Sequence, residues 1–324
     1  MPRQSDTVGG RPVSEILIDG FDASSVDLAA ATLRNGGLVA IPTETVYGLA
    51  ADADNETALR RVFAVKGRPA NHPLILHIGA DIHLDEWSRD ITPAARELAH
   101  LLWPGPLTML LHRPERVSLV ATGGRDTVAL RVPDHVVALN LLKLFDGALA
   151  APSANRFGKV SPTTAKHVLA DLGSDVDLIL DGGACFVGVE STIVDMTRPI
   201  PQLLRPGGIS VAQIEAILNL KIDLAASPPR APGMLESHYA PDCAVELVDS
   251  SHQALIRAQQ LRLESMHVAI LDYSHDVDRY ARIMYQFLRD ADRQDCDVVV
   301  AVMPTEAGIG RAIRDRLSKA AIRS

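Results

Sequence analysis

IPTETVYGLAADADNETALRRVFAVKGRPANHPLILHI, residues 41–78, is the stretch whose reading decides the fold. The apolar run Gly37–Ile41 that leads into it reads as a buried strand, and Pro42-Thr43-Glu44-Thr45 as a hydroxyl-rich turn. A helix follows, with Asn55 or Thr57 as N-cap and Leu59, Val62 and Phe63 spaced along one apolar face. It ends at Lys66-Gly67-Arg68-Pro69, and after His72 a second buried strand is expected over Leu74–Ile78. Strand, helix, strand is the grammar of an α/β protein. The junction carries two cations, a glycine and a proline. Lysine brings a point charge, arginine a bidentate fork, and Gly67 lets backbone approach a ligand, so an anion site fits. An ordinary helix C-terminus with dipole-complementing cations fits the same residues. The stretch alone leaves both readings open.

Outward from it, strands are expected at Glu15–Asp19, Leu107–His112, Thr127–Val132, Gly147–Ala151, Leu178–Leu180, Thr192–Asp195 and Gln202–Leu204. Helices are expected at Val26–Arg34, Pro93–Leu102, Val136–Leu144 and Val211–Leu218, with residues 1 to about 12 loose. Several strands are adjacent in sequence, so the sheet should be twisted and mixed, with flanking helices. Residues 223–242 hold four prolines and no periodicity, and read as a linker between domains 1–222 and 243–324. Beyond it strands and helices alternate strictly, which predicts a smaller Rossmann-like parallel α/β domain.

Composition narrows the function. The chain has 324 residues, 47% hydrophobic, 22% charged and 4% aromatic, with a net charge of -8, which argues against a surface devoted to nucleic acid. Its three cysteines lack metal-ligand spacing, so neither a disulfide framework nor a zinc site is expected, and a reducing cytoplasm fits. The N-terminus has no signal-peptide core and no run approaches a membrane span. P-loop, nucleophile-elbow, HExxH and CxxC motifs are all missing. Gly308-Ile309-Gly310 suits a turn opening a helix better than a dinucleotide fingerprint. His135 and His167, near helix starts, read as surface or capping residues.

Five polar stretches fall at strand ends, where open α/β sheets place ligands. They are Lys66–Arg68 with His72 and His77, Thr127 with Arg131, Ser153–Ser161, Glu190–Thr192, and Arg205–Gly207. Each alone has a dull structural reading. Together their arginines, lysine and hydroxyls suit a triphosphate and a carboxylate.

PTETVYGL, KGRPANHPLILH, ALRVPDH, PSAN with VSPT, and ESTIVD with LLRPGG together resemble the YrdC-type threonylcarbamoyl-AMP synthases in their long two-domain form. The resemblance spans nearly the whole chain, including the APGM…HYAP linker and GIGRAIRDRLSKAA. It implies an adenylyl-transferring enzyme that joins L-threonine, bicarbonate or CO2, and ATP into threonylcarbamoyl-AMP, releasing pyrophosphate. The product would serve N6-threonylcarbamoyladenosine formation in tRNA through a downstream transfer machinery. By resemblance, Thr45, His77, Arg131, Ser191 and backbone at Ala151 would hold threonine. Lys66 and Arg68 would be the catalytic cations, standing exposed in the empty cleft. Arg68, His72, Thr127, Ser153, Asn155, Ser161, Arg205 and Tyr239 would line the ATP site. Mg2+ is expected on the triphosphate, held by phosphate oxygens and water rather than by a protein metal cage. The linker, through Tyr239, is expected to fold over the nucleotide as a lid. Leu235-Glu236-Ser237 departs from relatives that carry a basic residue there, which weakens the expectation of a phosphate contact from that segment. The rival readings are a tRNA- or double-stranded-RNA-binding module, in which any tRNA contact would be weak at this charge, and a carbamoyltransferase-type domain.

Overall fold

The structure, a computed structural model, describes residues 7–224 and 239–322. The linker stretch 225–238, with Met234, Leu235–Ser237 and His238, lies outside those residues. The strands β1 (Thr7–Val8) and β2 (Arg11–Pro12) form a hairpin, where the sequence suggested loose chain. Gly9 and Gly10 turn it with φ of 58° and 80°, and a Gly-Gly pair is a recognised hairpin signal.

The main sheet comprises β3 (Leu17–Asp19), β4 (Val39–Ile41), β5 (Gly48–Asp52), β6 (Ile75–His77), β7 (Leu107–His112), β8 (Thr127–Arg131), β9 (Leu149–Ala150), β10 (Leu178–Asp181), β11 (Thr192–Asp195), β12 (Gln202–Arg205) and β13 (Asp223–Leu224). Their order is β13-β12-β11-β7-β8-β6-β9-β5-β4-β10-β3. The sheet is mixed: β6 and β11 run parallel to β8 and β7, while β9 is antiparallel to both its neighbours. Glu15 belongs to a helical turn, Val13–Ile16, rather than to the first strand of this sheet. β5 is invisible in the sequence pattern because its Gly-Leu-Ala-Ala-Asp run has no β propensity of its own. Pairing with β4 and β9 imposes the strand.

One sheet face is closed by a large core in which Leu49, Leu76, Met109, Leu130 and Val194 meet Leu59, Val62 and Phe63 of the helix Glu56–Lys66. On the opposite face, helices Ala23–Arg34 and Val136–Phe145 cover Val39, Ile41, Ala50 and Leu149. Farther along that face, β6, β8 and β11 present only Ile75, Ala129 and Ile193 as a small apolar patch. Here the sheet floors a cavity.

The C-terminal domain is a three-layer α/β unit with parallel strands β14 (Ala244–Val248), β15 (Val268–Leu271) and β16 (Val298–Val302). Their order, β14-β16-β15, puts the last strand in the middle, whereas a Rossmann half, ordered 3-2-1, has its second strand there. Helices Val277–Arg293 and Gly310–Ala321 fill one face with Tyr280, Met284 and Leu317. The same apolar cluster takes in Val46, Val160 and Val189 of the first domain, with Tyr239 among them. The second domain is thus packed over the rim of the cavity by a shared core.

Candidate active site

The cavity spans about 580 Å³, part of it open to solvent, and is lined by groups from the sheet floor, the turn before β5, and loops at strand ends. Thr45, Arg68, His77, Arg131, Ala151, Ser153, Ser191, Arg205 and Tyr239 all line it. Five other residues singled out from the sequence do not.

Its floor is rigid because the ladder fixes it. His77 and Arg131 face each other in the β6–β8 register. His77 is fully buried, and its Nδ1 has no partner among the described residues. Burial, reinforced by the Arg131 charge, pushes its pKa down to about 3, so the imidazole is neutral and can accept or donate without adding charge. Arg131 Nη2 lies 2.7 Å from Glu44 Oε2. Its N–H directions are not aligned on that oxygen, so Nη2 counts as unpaired by hydrogen-bond geometry. We read this as an ionic contact that neutralises Arg131 while leaving donors for a second carboxylate. Glu44 is itself anchored by the Asp134 N–H at 3.0 Å. Thr43 Oγ1 ties the turn together, meeting Thr45 Oγ1 at 2.8 Å and donating to the Val46 carbonyl at 2.6 Å.

The other end is built from loops and the last residue of β12. Arg68 follows Gly67, whose φ of 64° closes the helix in the left-handed conformation. It donates to the Pro73 carbonyl at 3.0 Å, and its buried Nε has no partner among the described residues. Burial lowers its pKa to about 10, which still leaves it charged. Both cations of this junction are buried rather than cleft-exposed: Lys66 is 2% and Arg68 8% accessible. Arg205 donates through Nε to the Ser191 carbonyl and through Nη2 to Ser191 Oγ, each at 3.0 Å. Ser191 Oγ also meets Thr108 Oγ1 at 2.7 Å. Gly207 lies against this segment so closely that a Cβ would sit 2.2 Å from the Thr192 nitrogen.

Lys66 does not reach the cavity. Its Nζ donates to the carbonyls of Ser153 at 2.5 Å and Asn155 at 2.6 Å, with Asn155 Oδ1 at 3.5 Å. Burial, then Arg68, pulls its pKa well below the usual amine value. It pins the loop that presents Ser153. Asn155 works with it, donating to the Arg156 and Lys159 carbonyls at 3.0 and 2.7 Å. Ser161 spends its proton on Glu190 Oε1 at 2.6 Å, so in this arrangement it has none to give a phosphate. His72 packs edge-on against Phe157, ring centroids 5.6 Å apart, and Arg68 lies over that ring at 5.8 Å. Thr127 shares a sheet face with Arg131 but is four residues up the strand, roughly 13 Å away at the usual rise.

Sequence reasoning named Glu44 and the Glu190–Thr192 stretch without giving either glutamate a role, and it missed the two residues that grip Glu190 from the second domain, Tyr285 and Arg316. Both glutamates stood in plain view within the quoted motifs. Arg316 lay in GIGRAIRDRLSKAA, but nothing in one sequence says which of its three arginines turns inward. His167 is 7% exposed rather than a surface residue; its Nδ1 accepts from the Thr163 N–H at 3.2 Å. His135 caps its helix as expected, accepting from the Val137 N–H at 3.3 Å.

The mixed sheet that floors the cavity and the parallel α/β domain packed over it each match a known family, and together they place the chain in the Sua5/YrdC class. Residues 31–207 match the Sua5_yciO_yrdC family, described as Telomere recombination. Residues 209–322 match the family described as Threonylcarbamoyl-AMP synthase, C-terminal domain. The chain is 41% identical to the threonylcarbamoyl-AMP synthase of Pyrococcus abyssi, with 91% of this chain and 93% of that protein covered. It is 38% identical to that of Bacillus subtilis, with 90% and 92% covered. The crystal structure of P. abyssi Sua5 complexed with L-threonine matches at a TM-score of 0.88 and 39% identity, covering 94% of this chain and 96% of that one. The chain belongs to the threonylcarbamoyl-AMP synthase family.

Proposed function

We propose that the cavity joins L-threonine, bicarbonate or CO2, and ATP into threonylcarbamoyl-AMP and pyrophosphate, with threonine on the sheet floor and ATP at the loop end. The observation that carries this division is the pairing of His77 with Arg131 on adjacent strands, beside Arg68 on a loop and Arg205 at the very end of β12. Arg131, partly neutralised by Glu44, grips the threonine carboxylate. Neutral His77 and Thr45 meet the amino and hydroxyl groups.

The threonine nitrogen attacks CO2 and loses a proton, giving a carbamate. A carbamate oxygen then attacks the α-phosphorus and pyrophosphate leaves. No activated protein nucleophile is required. Arg68 and Arg205 neutralise charge that builds on the phosphates, and Ser153 with Tyr239 positions the nucleotide. Burial keeps these cations preorganised in a site of low dielectric.

Mg2+ accompanying the triphosphate would be held by phosphate oxygens and water. Among the described residues no three His, Cys, Asp or Glu side chains converge as a metal site. Both oxygens of Glu190 are engaged, and Glu44 is paired through Oε2 with Arg131. The product passes to a downstream machinery that transfers the threonylcarbamoyl group to tRNA. Among the described residues no helix is long and apolar enough to cross a membrane, and we place the activity in the cytoplasm.

The test is pyrophosphate release with threonine, bicarbonate and ATP omitted in turn. Release should need all three, and serine should substitute poorly, by roughly 10–200-fold for a missing methyl. ATP turnover indifferent to threonine would sink the reading.

A further inference from the structure

Glu190 is a buried carboxylate on the wall of the cavity, and its grip comes largely from the other domain. Ser161 Oγ donates to Oε1 at 2.6 Å. Tyr285 Oη lies 3.1 and 2.9 Å from the two oxygens, and Arg316 Nε donates to Oε2 at 2.9 Å. Tyr285 stands on the helix Val277–Arg293 and Arg316 on the helix Gly310–Ala321. Arg316 is completely buried, and its Nη1 also donates to the Pro206 carbonyl at 2.7 Å. Its guanidinium carbon lies 5.4 Å from the centre of the Tyr239 ring, and that ring stacks on Tyr285 at 5.8 Å. One side chain of the second domain therefore touches the residue after Arg205, the residue before Ser191, and the ring of Tyr239. Through Glu190 it reaches the end of the loop that starts at Ser153. Arg289 of the same domain adds hydrogen bonds to the carbonyls of Val160 and Ser161.

A buried ion pair of this kind is poorly explained as a stability device. Desolvating both charges costs about as much as their attraction returns, and apolar replacements of such pairs are often neutral. What it does supply is direction. The guanidinium fork fixes the Glu190 carboxylate and the Pro206 carbonyl at one mutual angle, which an apolar contact could not do. By contrast, the His77 and Arg131 floor is held by β-ladder hydrogen bonds within the first domain and receives nothing from Arg316.

We propose that Arg316 and Tyr285 are positioning residues for the nucleotide end alone, to which Ser191 belongs through its hydrogen bonds with Arg205 and Thr108 rather than to the threonine floor: the C-terminal domain acts through Glu190 and its neighbour Ser191 to hold Arg205, and through Ser161 to hold the Ser153–Ser161 loop, in their binding arrangement. This rests on the division of the cavity proposed above. Loss of the tie should therefore weaken ATP binding and spare threonine binding.

The experiment uses full-length protein and calorimetry with ATP and with L-threonine separately. Arg316→Ala strands a buried carboxylate and risks misfolding, so the decisive variant is Glu190→Gln with Arg316→Met, which removes both charges together. It should melt within a few degrees of the parent and bind threonine within about twofold, while its ATP Kd rises about tenfold or more. Tyr285→Phe, which keeps the ring stack and deletes one donor, should raise the ATP Kd by a few fold. The ATP KM should follow the ATP Kd, with the threonine KM unmoved. A double variant that melts normally and binds ATP like the parent overturns the proposal. So does one that loses both ligands equally, since the tie would then set the whole site. Parent protein that binds threonine but no ATP would instead refute the functional reading on which the inference stands.

Discussion

The two ends of the cavity are made in different ways. The His77–Arg131 end is three strands wide, its side chains set by register, and its charged residue is neutralised by a neighbour in the same domain. The Arg68–Arg205 end is made of loops and the last residue of β12, and it is pinned from behind: Lys66, which does not reach the cavity, holds Ser153, while Glu190 on the cavity wall, with Arg316, holds Ser161 and Pro206. A small, rigid amino acid suits a floor that cannot move. A triphosphate that must enter and leave as pyrophosphate suits loops whose positions depend on a second domain. The floor is thus stabilised by folding itself, while the loop end needs the domain interface.

The largest expected effect falls on Arg68. Its guanidinium carries charge at the loop end and its Nε has no partner among the described residues, so Arg68→Ala should lower kcat/KM by about 10²–10³-fold, as for other preorganised charge-stabilising donors. Steady-state kinetics should place most of the loss on ATP. Because Arg68 is only 8% exposed, a modest loss of Tm should accompany it. Near-normal activity would reduce the Lys66–Arg68 junction to a helix end.

Arg131 should show the opposite partition. Replacing it alone would leave Glu44 buried without its cation, so Arg131→Met is best combined with Glu44→Gln. Losing a charge-assisted contact worth about 1.5–3 kcal/mol should raise the threonine KM roughly 10–150-fold and barely move the ATP KM. Parallel changes in both constants would mean that the two ends are not separate.

Much of this was legible in the sequence, and the gaps have physical causes. Most strands and helices beyond residue 20 were marked by apolar periodicity, though the short helices Leu84–Trp87 and Leu119–Thr122 and the strand Asp223–Leu224 were not, and Asn55 capped its helix as its position suggested. β5 was not marked, since its alanines carry no strand preference and only its neighbours make it a strand. Nine of the fourteen singled-out residues line the cavity. The other five show where a motif stops being informative. A motif places Lys66, Asn155 and Ser161 near a ligand, but whether a polar group faces the ligand or the loop behind it depends on where its protons go. That is a property of the assembled hydrogen bonds. The grip on Glu190 from Arg316, 126 residues away along the chain, could not be read from local pattern at all.

The floor can also be tested without substrate, through pH. His77 has a pKa of about 3 in the folded protein against an ordinary 6.5. Between those values the unfolded chain holds a proton that the folded one refuses, so stability rises with pH across that window. The His77 contribution is fully present above pH 6.5 and is lost as pH falls towards 3. By pH 5 the loss should be about 2 kcal/mol. Denaturant unfolding of the parent and of His77→Asn at pH 7 and pH 5 isolates it: the parent should lose that much more than the variant. Equal losses would mean that His77 is solvated and charged, and the neutral floor would be wrong.

The smallest effect separates the residues that face the cavity from those that pin its loops. Ser153 lines the cavity, whereas the Ser161 proton is given to Glu190. Ser161→Ala deletes one hydrogen bond to a carboxylate that keeps Tyr285 and Arg316 as donors. The charge therefore stays compensated, and the cost should be about 1 kcal/mol of stability. The ATP KM should rise by no more than about fivefold, which is that same energy. Ser153→Ala should exceed it, and its effect should fall on ATP alone. The comparison is a pair of KM measurements at saturating threonine, with melting curves alongside. If Ser161→Ala proves the more damaging of the two while melting like the parent, Ser161 must leave Glu190 and meet the nucleotide when ATP binds. The loop end would then be not merely held by the second domain but rearranged against it at each turnover.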